Sequence, residues 1–290
     1  MIIVTGATGS LGRLIVQNLI ERVPASTVGV SVRNPGKAAD LEARGVRVRH
    51  GDFAEPTSLA HAFEGATQVL IVSSNARAYG GDAIAQHRAA ISAARTAGAR
   101  RIVYTSHMGA SASSLFSPML DHAATEDLLR ASEVAWTSLR NGFYASSGVM
   151  LLGDAMKSGA VEAPSDGKVV WTAHADLAEA AARILADEGC FDGPTPPLTA
   201  SEALDLADLA RLASECYGRP IRREVVAEDV HRAKMAARGV PPAVVEISLG
   251  LHRASRAGEF CAVDPTLERL LGRRPTTMRD VIAKHKNGST

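Results

Sequence analysis

The chain has 290 residues, 46% of them hydrophobic and 22% charged, with 32 basic against 31 acidic side chains and a net charge of +1. That balance excludes a disordered chain, which needs few apolar residues and a high net charge, and a uniformly basic one that holds nucleic acid by neutralising phosphates. The length admits one large domain or a core with an appendage.

Along the first 140 residues, short β-branched runs alternate with amphipathic segments. Ile2 to Thr5, Thr27 to Val32, Val46 to Val48, Val69 to Val72, Ile102 to Thr105 and Thr137 to Leu139 are predicted strands. Helical spacing appears between them, in Leu11 to Leu19, Leu59 to Phe63, Ile84 to Ala94 and around Leu128. Strand then helix, repeated, predicts an α/β fold: a Rossmann-type doubly wound parallel sheet. After Tyr144 the alternation loosens. Val169 to Thr172 reads as a further strand, and Asp176 with Glu179 as the capped start of a helix over Leu177 to Ala186. Gly193 to Pro197 reads as a rigid connector. A helix from Leu206 to Tyr217 stops at Gly218, and Asp264-Pro265 and Thr277-x-x-Asp280 open the last two. The expected division is a dinucleotide-binding domain over 1–150 and a small, mostly helical C-terminal lobe over 151–290, interwoven with it. From Arg219 onward, 14 basic residues face 8 acidic ones, a bias read as a solvated helical face.

Cys190, Cys216 and Cys261 are odd in number, widely spaced and in no C-x-x-C pair, which speaks against a disulfide framework and fits a reducing cytoplasm. No secretory leader is visible and no run of about 18 apolar residues occurs, so a cytoplasmic protein without a membrane partner is expected. No His, Asp, Glu or Cys cluster has metal-ligand spacing, and neither a Gly-x-Ser-x-Gly nor a P-loop pattern is present.

The segment Gly6-Ala7-Thr8-Gly9-Ser10-Leu11-Gly12 stands directly after an apolar strand and before an amphipathic helix. Such a turn needs residues without a Cβ where backbone meets ligand, and the helix start presents free N–H groups to an anion. A dinucleotide pyrophosphate is the expected occupant, touched by Gly6, Thr8, Gly9, Ser10, Leu11 and Gly12. An NAD site usually carries an acid at the end of the second strand, whereas this chain has Ser31-Val32-Arg33-Asn34-Pro35. Arg33 can fork onto a 2′-phosphate, with Lys37 in support, so the expected cofactor is NADPH. Asp52 and Phe53 are placed against the adenine, and Ser73, Ser74 and Asn75 along the ribose and pyrophosphate.

The glycine turn, Val32 to Pro35, Gln86-His87, Tyr104-Thr105-Ser106 and Leu139-Arg140-Asn141-Gly142-Phe143-Tyr144 together resemble the NmrA-like atypical short-chain dehydrogenases. The likeness is nearest to the branch of type 2 NAD(P)H:quinone oxidoreductases and triphenylmethane reductases, and runs from Met1 through Pro275-Thr276-Thr277. It implies an NADPH-binding Rossmann domain, a small lobe and a substrate cleft, and the family includes regulators that catalyse nothing. The usual Tyr-x-x-x-Lys pair is missing: Pro118 and His122 occupy its places. Quinones and cationic dyes are good enough hydride acceptors to need little acid catalysis, so the expected activity is NADPH-dependent reduction of a quinone-like small molecule. A dinucleotide-binding redox sensor without catalysis is the alternative, and homo-oligomerisation stays open. Asn141 and Tyr144 are the candidate polar groups at the reacting centre, Phe143 the packing surface for the nicotinamide, Ser106 a further cofactor contact, and His107 a candidate proton donor. His87 reads as helix-face packing, with the nicotinamide border as the other option.

Overall fold

A computed structural model describes residues 1–153 and 155–288. The chain begins β1 (Ile2–Thr5), α1 (Ser10–Leu19), β2 (Val28–Val32), α2 (Ala39–Glu42), β3 (Arg47–His50), α3 (Pro56–Ala62), β4 (Gln68–Ile71), α4 (Ala83–Thr96) and β5 (Arg101–His107). It continues α5 (Ser117–Arg130), β6 (Ala135–Asn141), β7 (Phe143–Tyr144), α6 (Ala145–Leu152), α7 (Ala155–Ser158), β8 (Ala160–Ala163), β9 (Trp171–Thr172), α8 (His174–Ala186) and β10 (Gly193–Pro194). The last elements are α9 (Leu206–Tyr217), β11 (Arg222–Val225), α10 (Glu228–Ala237), α11 (Pro242–Arg256), α12 (Thr266–Leu271) and α13 (Met278–Lys286).

Two compact units each draw on three segments of chain. The first is Met1–Ala110, Asp121–Arg140 and His174–Pro196; the second is Ser111–Leu120, Asn141–Ala173 and Pro197–Thr290.

The first unit is built on a sheet of order β10-β6-β5-β4-β1-β2-β3. Strands β2, β4 and their outer neighbours β3 and β5 pair in parallel, as do β6 and β10. From β1 the chain runs outward through β2 and β3, then crosses to β4 on the other side. That reversal leaves a crevice at the carboxyl ends of β1 and β4, where ligands of such sheets lie. The central strands are mostly apolar because helices cover both faces: every residue of β1 and β4 is buried, Thr5 and Gln68 included. On one face Ile3, Phe63, Ile71, Ile91, Ile102 and Tyr104 form a continuous core. α1 and α8 pack on each other; α8 buries Ala178, Ala181 and Ala182, and small side chains allow that close approach.

Three elements differ from the sequence expectation. The stretch read as a rigid connector contributes β10, in which Gly193 is registered with Thr137 and the Thr195 amide donates to the Ser138 carbonyl at 2.9 Å. A proline is tolerated there because an edge strand has no outer neighbour needing its N–H. The helix expected from Leu177 starts at His174, which puts Asp176 inside the first turn. Of the Val169 to Thr172 run only Trp171–Thr172 is strand, paired in parallel with Phe143–Tyr144.

The second unit is mainly helical, with β8 paired to β11 beside β7 and β9. Phe116, Phe143, Trp171, Leu209, Phe260 and Ile282 belong to its core. α9 and α13 carry capping boxes, Asp205 with Asp208 and, at the start anticipated from the sequence, Thr277 with Asp280. Much of the late basic excess is spent inside this unit: Arg253 and Arg256 both reach Glu228, Lys234 pairs with Glu162 and Arg279 with Glu215. Arg223 is the buried member. It donates to Asp166 Oδ1 at 3.1 Å, to the Ala163 carbonyl at 2.9 Å and to the Pro164 carbonyl, while Asp166 Oδ2 accepts from the Leu206 amide at 2.8 Å. One guanidinium thereby joins β11, the 163–166 turn and the start of α9. Replacing it with an apolar side chain strands a buried carboxylate, so Arg223→Met is expected to cost about 3 kcal/mol in urea unfolding.

Candidate functional site

The turn from β1 into α1 has the geometry of an anion cradle. Gly6 sits at φ +63°, a left-handed conformation that favours glycine, and its carbonyl accepts from the Gly9 amide at 2.9 Å. A Cβ on Gly12 would lie 2.8 Å from the Gly6 carbonyl carbon and closer still to its oxygen, so only glycine lets the helix start this near the strand. Thr8, Gly9 and Ser10 are exposed, whereas Leu11 and Gly12 are buried and offer backbone alone. α1 begins at Gly9 with no side-chain cap and no acid in its first turn. A helix start left open in this way directs orphan N–H groups and the positive end of the macrodipole at whatever binds there.

At the end of β2, Arg33 and Lys37 are exposed, and neither side chain has a hydrogen bond or ion pair among the described residues. The Asn34 side chain accepts from the Gly36 amide at 3.1 Å and shapes the turn between them. Arg13, not singled out from the sequence, reaches the same turn from α1. Asp52 keeps one carboxylate oxygen on the Ala54 amide at 2.9 Å, and Phe53 leans half-buried on the core.

The carboxyl end of β4 is braced by side chains. Thr5 Oγ1 accepts from the Val72 amide at 2.9 Å, Thr105 Oγ1 from the Ser73 amide at 2.8 Å, and His87 Nε2 from the Ser74 amide at 2.8 Å. The Ser74 hydroxyl donates to Gln86 at 2.5 Å, and Asn75 is exposed. Gln86-His87 is therefore a support for the loop that follows the strand. With Nε2 accepting, the His87 proton sits on Nδ1, 2.8 Å from Thr125 Oγ1. Burial pushes its pKa down to about 4. The loop beyond is tied down by Arg77, which forks onto the buried Asp121.

At the end of β5 the polar side chains are engaged inside the unit. The Ser106 hydroxyl is buried and donates to Glu126 at 2.8 Å. Glu126 also accepts from Ser138 at 2.7 Å and from Arg140 at 2.7 and 3.1 Å. Burial works to raise that carboxyl, but the hydrogen bonds from Arg140, Ser138 and Ser106 outweigh it and hold the pKa below the usual range. His107 is buried and accepts from the Gly109 amide on Nδ1 at 3.0 Å. Burial, with the nearby His122, pushes its pKa well below the ordinary imidazole value. It is thus neutral at pH 7 and carries its proton on Nε2. Tyr104 is fully buried, its hydroxyl 2.8 Å from Nδ1 of His122.

In the second unit, Asn141 is buried and its side chain hydrogen-bonds the Tyr144 hydroxyl. Asn141 Oδ1 has no partner among the described residues. Burial raises the Tyr144 phenol, more than the Asn141 contact lowers it, so the hydroxyl keeps its proton at neutral pH. Phe143 departs from expectation. Its ring lies 5.3 Å from Phe260, 5.4 Å from Trp171 and 5.7 Å from Phe116, inside the aromatic core. Gly142 between them has no room for a Cβ beside Thr172 and donates to the Leu198 carbonyl at 2.8 Å.

Comparison with known proteins places the chain among nucleotide-binding relatives. The model of a family described as NAD(P)H-binding matches residues 6–188. Quinone oxidoreductase 2 of Escherichia coli (strain K12) is 32% identical over 284 residues, covering 98% of each chain. The crystal structure of the NADPH-dependent quinone oxidoreductase from Escherichia coli complexed with NADPH superposes with a TM-score of 0.92 at 31% identity, over 99% of this chain and 100% of that one. The triphenylmethane reductase of Citrobacter sp. complexed with NADP(H) gives a TM-score of 0.87 at 32% identity, over 98% and 99%.

The His87 brace has a measurable signature. Its folded pKa is about 4 against an ordinary 6.5, so the unfolded chain takes up a proton that the folded one refuses. Its contribution is intact above pH 6.5 and is lost as pH falls toward 4, about 3 kcal/mol in all. Urea unfolding across that interval is expected to show a shallower pH slope for His87→Gln than for the wild type.

Proposed function

Since the chain belongs to the NAD(P)H-binding family matched above, we propose that it is an NADPH-dependent oxidoreductase acting on a quinone or a similarly flat electrophile. The observation that carries the NADPH reading is the pair of unpartnered cations, Arg33 and Lys37, one strand away from an uncapped helix start. The residues fit a dinucleotide: glycine clears the approach at Gly6 and Gly12, the α1 amides receive the pyrophosphate, and Arg33 forks onto the 2′-phosphate. The quinone class comes from the relatives, whose likeness spans nearly the full length of this chain.

NADPH supplies a hydride when bound. Reduction of a quinone to a hydroquinone consumes that hydride and one proton, and charge develops on the acceptor oxygen between the two. Asn141 and Tyr144 are the groups assigned to that oxygen. The Asn141 side chain hydrogen-bonds Tyr144, and the phenolic O–H, protonated at neutral pH, is the group assigned to donate to the oxyanion. The final proton comes from water, because His107 is neutral and Tyr104 is sealed in the core. Pro118 and His122 in place of the usual tyrosine and lysine fit an acceptor that needs no strong acid.

Purified protein is expected to oxidise NADPH on addition of quinones or triarylmethane dyes. Tight NADPH binding with no turnover across a panel of quinones, dyes and enones would leave a non-catalytic dinucleotide sensor as the reading. Arg33→Ala is expected to weaken NADPH by roughly tenfold to a hundredfold, the worth of a charge-assisted hydrogen bond, and NADH by much less. Equal loss for the two cofactors would remove Arg33 from the 2′-phosphate. Tyr144→Phe is expected to lower kcat about tenfold or more while NADPH affinity holds.

A further inference from the structure

We propose that Arg13 is a positioning residue for 2′-phosphate selectivity, a latch that fixes the turn bearing Arg33 and Lys37 against α1. The inference rests on the NADPH reading above and adds a residue outside the cofactor-contacting set. Arg13 directly follows Gly12 in the first turn of α1. Its Nη1 donates to Asp40 Oδ2 at 2.6 Å and its Nη2 to the Lys37 carbonyl at 2.6 Å. One planar fork therefore spans from the pyrophosphate helix to the far end of the cationic turn.

The near end of that turn is held differently. Arg33 closes β2, and its carbonyl is 3.1 Å from His50 Nδ1. Between the two ends the backbone is a single 3₁₀ turn over Pro35–Ala38, with the Lys37 amide donating to the Asn34 carbonyl at 3.1 Å. Buried Ala38 and Leu41 anchor the apolar side of the segment. On the polar side Arg13 grips its backbone directly, next to the side chain of Lys37.

Charge supports the same role. Asp40 is an exposed carboxylate three residues from Lys37 and would repel a dianion. The hydrogen bond from Arg13 holds its carboxyl below the usual range and places a cation on it. Arg13 thus spends its own charge on Asp40, which leaves Arg33 and Lys37 to face the phosphate. A guanidinium is needed for this. Two acceptors in different directions, a carboxylate and a carbonyl, are met by a fixed planar fork and not by an ammonium.

The test is fluorescence titration of the full chain with NADPH and with NADH. Arg13→Ala is expected to weaken NADPH about tenfold through lost preorganisation, with NADH changed by less than about twofold. Arg13→Lys, which keeps the charge and loses the fork, is expected to lose most of the same preference. Unchanged NADPH affinity in Arg13→Ala overturns the proposal, and so does an equal loss for both cofactors, which would mark a general structural defect. In an Arg33→Ala/Lys37→Ala background, adding Arg13→Ala is expected to cause no further loss of NADPH over NADH, since a latch acts through what it holds. An additive loss there means that Arg13 touches the phosphate itself, and positioning is refuted. If the wild type binds both cofactors alike, the NADPH reading fails first and the latch falls with it, a result visible before any Arg13 variant is made.

Discussion

The contact between Gly12 and the carbonyl of Gly6 is the constraint on which the rest depends. It lets α1 begin within a few ångströms of the end of β1, and the direction of α1 follows from it. That direction sets where the uncapped amides point, where the face of α1 meets α8, and where Arg13 emerges toward the β2 turn. A single added methyl group would force strand and helix apart, and all three would move together.

Around that fixed point the sheet solves a recurring problem. Strands that end in a ligand crevice leave amides without a next strand to receive them. Here side chains take over: Thr5, Thr105 and His87 each accept from the first residues beyond β4. Glu126 does the corresponding work deeper down, gathering Ser106, Ser138 and Arg140 from two neighbouring strands onto one buried carboxylate. The cost of burying that charge is offset by complete hydrogen bonding, which also fixes the ends of β5 and β6 relative to each other. Residues that look catalytic by type, a serine, a glutamate and two histidines, are thus largely occupied in holding the crevice open.

This explains how far the sequence could be read. Core strands such as Ile2–Thr5 were legible because burial on both faces favours a β-branched, mostly apolar run, and α9 because Gly218 and Pro220 punctuate its end. β10 was not legible, since Gly-Pro carries turn chemistry and becomes a strand only by lying beside β6. The glycine loop and Arg33 stood out because glycines in a strand-to-helix turn and a basic residue at the end of the second strand are visible in the sequence itself. The packing of Ser106, His107 and Phe143 was not legible for a shared reason: a polar or aromatic side chain near a strand end can turn inward as readily as outward, and which partner waits inside is a tertiary fact. For Ser106 the partner is Glu126; for Phe143 it is the ring cluster of Phe116, Trp171 and Phe260. Arg13 left no trace because its acceptors lie more than 20 residues away, one of them a backbone carbonyl.

The segment His174–Pro196 gives the first unit a particular order of assembly. It supplies α8, which packs on α1, and β10, which closes the edge of the sheet. During synthesis the glycine turn and its helix emerge first, yet the apolar side of α1 waits for a partner encoded more than 150 residues later. Contacts of such wide sequence separation slow folding, because the intervening loop must be closed before they form. The nascent chain therefore carries a nearly complete nucleotide site on an unfinished scaffold, and early cofactor binding would act on that scaffold as a folding ligand.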